Sequence, residues 1–157
     1  MKSRTVSKSD SKKIDEEVSK EYGVSVVADA SQVRIIEDEY DIITLDGTPA
    51  FFYVDGDIAP LLSYMLQKDV IGKKIVIDMG AVRPIASGAD CMIPGILQCD
   101  SDLESGDIAV IVDENHGKPL SVVRMRMSSQ EIEKAEKGRA VETLHHIGDT
   151  LWNMFTP

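Results

Sequence analysis

Basic side chains are scarce in this sequence: 17 Lys and Arg stand against 27 Asp and Glu, a formal net charge of −10. Residues 1–72 hold 8 basic and 14 acidic side chains, and residues 73–157 hold 9 and 13. Such a balance disfavours indiscriminate binding to phosphate backbones and long-range capture of nucleic acid, while leaving room for a local basic patch. Cysteine is sparse too. Cys91 and Cys99 are the only two, too few for a disulfide framework or a four-cysteine metal site, and they read as one buried thiol and one loop thiol. Histidine occurs three times. Adjacent His145 and His146 on a strand would point to opposite faces, so with His116 they form no convergent metal set. No apolar run approaches the roughly 20 residues of a membrane-spanning helix. The leading MKSRTVSKSD lacks the apolar core of a secretory signal, so a cytoplasmic protein without membrane contact is expected. Internal repeats and low-complexity runs are absent.

What is present is enough for packed cores. The chain has 157 residues, 43% of them hydrophobic, which suits one domain or two small ones. Ser9-Asp10-Ser11 reads as a helix start, Lys12 to Lys20 as its body, with Ile14 and Val18 as an apolar stripe and Gly23 as the stop. Its basic residues Lys2, Arg4, Lys8, Lys12 and Lys13 could touch phosphate, but a solvated helix face with a frayed tail is the favoured reading. Short strands are expected at Val24–Val27, Gln32–Glu37 and Asp41–Leu45. Asp46-Gly47 is a hairpin signal leading into Ala50–Val54, and Asp55-Gly56-Asp57 makes a second turn. A helix with an apolar face follows from Pro60 to about Gln67. Lys68–Gly72 then marks a short boundary, dividing the chain into 1–72 and 73–157.

The later part reads mostly as strand: Lys74–Ile77, Met92-Ile93, Ile108–Val112, Leu120–Met127 and Ala140–Thr143. Asn115-His116-Gly117 makes a hairpin of Ile108–Val112 and Leu120–Met127. Ser128 and Glu131 are spaced as a capping box, opening a helix from Gln130 to Lys137 that Gly138 ends. Short strands, turns and two small helices imply a closed or nearly closed barrel.

The densest punctuation lies at Asp78–Gly95, DMGAVRPIASGADCMIPG. Gly80 is expected to open a turn, Ala81–Ala86 to form a short helix with Pro84 in its first turn, and Ser87-Gly88 to end it. Pro94-Gly95 has the pairing of a type II turn. No Gly-Lys-Ser/Thr follows, so this is not a phosphate loop. Asp78 and Asp90 flank the helix, but no nucleophile or metal set accompanies them. Asp90 reads as a turn cap, and a non-catalytic protein is expected. Phe51, Phe52 and Tyr53 could stack bases, although aromatics alternating on a strand more often belong half to a core.

The Asp78–Gly95 segment closely resembles the opening of a PUA domain, the RNA-binding module of pseudouridine synthases and archaeosine transglycosylases. The resemblance continues through Gly106-Asp107, Val122–Met125 and Glu136–Val141. Outside that module, Leu45-Asp46-Gly47, Phe51–Tyr53, Ala59–Leu62 and the ending Leu144–Trp152 are similar to the malignant T-cell amplified sequence family of translation proteins and its archaeal relatives. The resemblance covers nearly the whole chain. It implies an α+β fold: an N-terminal pre-PUA α+β domain, then a PUA pseudo-barrel of short strands with small helices.

In the PUA family the helix after the first strand and a facing later strand form the RNA surface. Carried over by position, this implicates Lys74, Gly80, Arg83, Ser87, Gly88, Ala89, Asp90, Met92 and Gly95, with Arg124 and Arg126 on the facing side. Lys73, Lys74, Arg83, Arg124, Arg126 and Arg139 would form a local basic patch if the strands pack as a small barrel. The acidic strip Asp100, Asp102, Glu104 and Asp107 departs from a typical basic RNA binder. The resemblance implies a translation protein binding RNA, either the tRNA acceptor end or small-subunit rRNA. It also implies work on the small ribosomal subunit in initiation or recycling, with a partner resembling the density-regulated protein. No cofactor or metal is implied. The alternatives are a targeting subunit for a tRNA-modifying enzyme on another chain, and a protein-interaction module.

Overall fold

Ser7 starts the first long helix. In the computed structural model, which describes residues 2–156, the Ser7 hydroxyl accepts the Asp10 N–H at 3.1 Å. The chain divides into two units, Met1–Ile71 and Gly72–Pro157. The first unit runs β1 (Lys2–Thr5), α1 (Lys8–Tyr22), α2 (Val26–Asp29), β2 (Val33–Glu37), β3 (Asp41–Leu45), β4 (Thr48–Val54), β5 (Asp57–Pro60) and α3 (Leu62–Gln67). Helix α1 buries Ile14 and Val18 and stops at Gly23, whose φ of 69° sends its N–H back to the Ser19 carbonyl. The cap lies two residues before the expected Ser9.

All five strands form one antiparallel meander in chain order. Asp46-Gly47 and Asp55-Gly56 each place two successive residues at positive φ, 51° and 85° in the first and 51° and 83° in the second. That backbone twist suits tight hairpins. Leu61, Leu62, Phe51 and Phe52 are fully buried. Phe51 sits between Tyr22 and Tyr64, with ring centroids at 6.3 and 6.2 Å.

Three expectations change here. The frayed tail is strand β1, paired with β2 from Lys2↔Glu37 to Thr5↔Arg34 and held by an Arg4–Glu37 contact of 2.9 Å. Its four residues are all exposed, so no hydrophobic pattern announces it. The strand expected at Val24–Val27 is instead the turn of helix α2, where Asp15 accepts the Ala28 N–H. Phe51 and Phe52 lie in the core and are not available to stack bases, while the Tyr53 hydroxyl donates to Glu17. Burial and that neighbouring carboxylate push the Tyr53 phenol up.

The second unit contains β6 (Lys74–Ile77), α4 (Met79–Ala86), β7 (Ile96–Cys99), β8 (Ile108–Asp113), β9 (Pro119–Met125), α5 (Ser129–Lys134), β10 (Val141–His146) and α6 (Thr150–Phe155). Its sheet order is β10-β9-β8-β6-β7, with β6 and β8 parallel and the other pairs antiparallel. A second pairing narrows the gap between the sheet's ends. Met92 bridges Arg139, Ile93 donates to the Gly138 carbonyl at 3.0 Å, and Ala140 to that of Cys91 at 3.0 Å. The result is the expected α+β pseudo-barrel. The turn between β8 and β9 is organised by Asp113, whose carboxylate accepts the N–H groups of Asn115, His116 and Lys118.

Sequence punctuation misled in several places. Met92-Ile93 is a single bridge followed by a 3₁₀ turn at Ile93–Gly95, and β7 follows unannounced. Gly95 does not take the positive φ that a type II turn requires. Gly80 lies inside α4, which starts two residues earlier than expected because Asp78 caps it, so Pro84 falls mid-helix. The capping box of Ser128 and Glu131 forms as expected, but α5 ends at Lys134 with Ala135 as its cap, well before Gly138.

Asp149 ties the end of the unit together. It accepts N–H groups of His146 and Trp152 at 2.9 and 2.8 Å and meets Nδ1 of the buried His145 at 2.9 Å. Burial disfavours its charge, yet the His145 contact and the backbone donors outweigh that and hold its pKa below the usual carboxylate value. Asp113 is depressed in the same sense by its three backbone donors, against its own desolvation. A carboxyl with a lowered folded pKa stabilises fully above the unfolded value near 4, and that contribution is lost as pH falls through the folded value. Urea unfolding between pH 6 and pH 2 is therefore expected to lose stability below about pH 4. Asp149→Ala is expected to cost about 2–4 kcal/mol at pH 7, from a lost cap and a lost contact to a buried ring, and to flatten that acid limb.

Candidate nucleic-acid interface

Helix α4 leaves the end of β6 and packs against β9, placing Ile85 among the core residues Ile77, Ile111, Val123 and Met125. Its start is fixed by Asp78, which accepts the Ala81 N–H at 3.1 Å. Its last turn closes on itself, since Ser87, Gly88 and Ala89 donate to the carbonyls of Arg83, Ile85 and Pro84. The chain then crosses to β10. Asp90 accepts the backbone N–H of Thr143 at 2.8 Å and a guanidinium N–H of Arg139 at 3.0 Å. The Thr143 hydroxyl donates to the Ala89 carbonyl at 3.3 Å. Burial works against the Asp90 charge, but these donors hold its pKa below the usual range. Asp90 is thus a pin between α4's exit and β10 rather than a turn cap.

Strand β10 is bulged between Thr143 and His145. Thr143 pairs with Val123, which faces the α4 core, and His145 pairs with Val122 on the other face. The extra residue brings His146 to the same face as Thr143. There its ring lies directly against Gly88. A Cβ at Gly88 would stand 2.7 Å from His146 Nε2, and Gly88 has a φ of 101°. His146 Nδ1 donates to the Ile147 carbonyl at 2.8 Å, which leaves Nε2 as an acceptor when the ring is neutral. The surface therefore consists of Gly88 on an imidazole face, the exposed Ser87, the exposed Arg83 and the Asp90-bound Arg139.

The other residues implicated by position scatter. Lys74 is exposed at the start of β6, a strand's length of roughly 10 Å from α4. Arg124 alternates with Val123 and Met125, which face the α4 core, so it belongs to the opposite face of β9. There it donates to the Gly106 carbonyl at 2.8 Å. Arg126 shares its parity and stands 3.8 Å from Glu142. Lys73 is paired with Asp102 at 2.5 Å. The six cations do not form one patch, and most answer an acidic or carbonyl neighbour. Arg83 and Lys74 form no ion pair among the described residues. Gly95 packs on Ala81, 3.1 Å from a would-be Cβ, and Gly80 lies against Asp78 Oδ1, so both glycines serve close packing. Met92 is half-exposed beside Arg139.

Thr143 and His146 were not among the implicated positions, because the bulge that turns them toward Gly88 leaves no mark in the pattern of residues. Among the described residues no three His, Cys, Asp or Glu side chains come together as a metal set, and no helix is long and apolar enough to cross a membrane. Burial pushes the Cys91 thiol up to about 12.

Two family models match this chain: the PUA domain over residues 73–147 and the Domain of unknown function (DUF1947) over residues 4–68. An uncharacterized protein of Methanocaldococcus jannaschii is 36% identical over 151 residues, covering 94% of this chain and 93% of its own length. Translation machinery-associated protein 20 of Saccharomyces cerevisiae is 33% identical, covering 78% and 72%. Malignant T-cell-amplified sequence 1 of Danio rerio is 32% identical, covering 79% and 72%. This chain belongs to their family. A solved structure of a hypothetical protein from Pyrococcus horikoshii has a TM-score of 0.87 at 28% identity, over 99% of this chain and all of that one.

Gly88→Ala is expected to destabilise the protein by about 1–3 kcal/mol, through left-handed strain and collision with the imidazole. Adding His146→Ala should recover only part of that loss, because it relieves the collision but not the backbone. Urea unfolding of the two single variants and the double reads the difference.

Proposed function

We propose that this chain is an RNA-binding, translation-associated protein whose contact surface is the exit of α4 laid against β10. The PUA-domain match and relatives named for the translation machinery support the class. The single observation that carries the surface is the seating of Gly88 on the His146 ring, bordered by Arg83 and Arg139. The bare Gly88 makes room for the imidazole and so fixes the turn, beside which the Ser87 hydroxyl and the ring offer polar contacts and the guanidinium groups can answer phosphate. RNA recognition favours unpaired, splayed bases and shape over a deep helical groove.

The tRNA acceptor end, with its single-stranded 3′ terminus, is the substrate we favour over small-subunit rRNA. The setting is the small ribosomal subunit, in initiation or recycling. The first unit would hold a partner resembling the density-regulated protein. The role is one of binding rather than catalysis, with the cytoplasm as its place. With a net charge of −10, binding should be modest and steeply weakened by salt.

Binding to tRNA with its 3′ end intact or trimmed, each at two salt concentrations, tests this. Trimming should weaken binding about tenfold or more if unpaired bases are read on this surface. Arg83→Glu should weaken it by a similar factor, whereas Lys74→Glu should change it by less than about twofold. Equal binding before and after trimming would move the contact to stem or ribosomal RNA. No binding at low salt would end direct tRNA recognition.

A further inference from the structure

Strand β7 forms one edge of the second unit's sheet, with β6 on one side and no strand on the other among the described residues. A groove of about 460 Å³ runs between this edge and α5. Its apolar lining includes Ile93, Ile96 and Ile132, with Leu97 55% exposed at the rim. Leu97 is the extra residue where the β6–β7 register shifts, since Val76 pairs with Gln98 and Ile77 with Ile96. Asp100 donates to the Lys74 carbonyl, so the antiparallel alternation turns the backbone N–H and C=O of Cys99 away from β6 and toward the groove side. The closed end of the groove is firmly built. The Ser129 hydroxyl donates to the Asp100 carbonyl and accepts the Leu103 N–H, and Cys99 Sγ lies 3.4 Å from it.

Charge selects the occupant. Glu133 is the one charged residue of the groove lining, and the exposed Asp100 and Glu104 follow β7 in the chain. Without a cation in its lining the groove offers a polyanion nothing, and a second copy of a chain carrying −10 is repelled. We propose that this groove docks a short extended peptide segment of alternating apolar and basic residues from another protein. An apolar side chain would seat among Ile93, Ile96 and Ile132, a Lys or Arg would answer Glu133, and the peptide backbone would pair at Cys99. The bulge at Leu97 keeps that pairing short, so side chains supply most of the selectivity. Nothing in this surface depends on the RNA reading.

Two synthetic eight-residue peptides test it on the full chain, one alternating Lys and Val and the other alternating Glu and Val. Amide chemical shifts of the ¹⁵N-labelled protein provide the readout. The Lys/Val peptide should shift the amides of Leu97, Gln98, Cys99 and Glu133 saturably, and the Glu/Val peptide should not. Glu133→Lys, an exposed change that leaves the fold intact, should weaken the Lys/Val peptide about two- to fivefold. Equal response to both peptides, or none at millimolar concentration, overturns the proposal. So does tRNA shifting the same amides, which assigns the groove to nucleic acid. Self-association in sedimentation that Leu97→Glu abolishes also overturns it, by assigning the groove to a second copy.

Discussion

A single extra residue in β10, between Thr143 and His145, decides how the second unit's surface is made. A strand alternates its side chains strictly, so without the bulge Thr143 and His145 would share a face and His146 would oppose them. With it, His145 enters the interior to meet Asp149, while His146 and Thr143 turn together toward α4. The exit of α4 can then dock. Asp90 takes the Thr143 N–H and Arg139, and Gly88 settles on the imidazole where no larger residue fits. Helix, turn and strand hold one another, and the exposed cations Arg83 and Arg139 border the result.

This economy of charge also explains how an acidic protein can present a surface for RNA. Four cations around the second unit's sheet have local partners: Lys73 with Asp102, Arg126 with Glu142, Arg139 with Asp90, and Arg124 with the Gly106 carbonyl. Such exposed pairs contribute little stability, but they cancel the field that would draw polyanions indiscriminately. What remains is a small, shaped surface whose binding depends on fit. The groove beside β7 carries the opposite chemistry, apolar with a single acidic residue. The same unit thus offers one surface suited to phosphate and another suited to basic peptide.

Much of the fold is legible in the sequence. Asp46-Gly47 marked a hairpin, Gly23 the end of α1, Ser128 and Glu131 a capping box, and Lys74–Ile77 a core strand. Each is a local device whose geometry follows from a few adjacent residues. The misses were not local. Strand β1 has no apolar residue to betray it and exists because β2, roughly 30 positions on, supplies its ladder. Strand β7 and the 3₁₀ turn before it are set by packing of Gly95 on Ala81 and by pairing to β6.

Residue order alone is enough for the family, the α+β class, the stop of α1, the capping box of α5, the hairpin turns, and the glycine-rich segment after β6 as the place to look. Those depend on torsional preference, local hydrogen bonding and apolar periodicity, all written over short spans. Which residues meet there depends on long-range strand pairing and packing. That pairing tied Arg124 to the Gly106 carbonyl on the far face of β9, and brought Thr143 and His146 to the exit of α4. The reason is that side-chain direction along a strand reverses with every residue. One bulge changes it for all that follow, and no property of the individual residues records where the ladder slips.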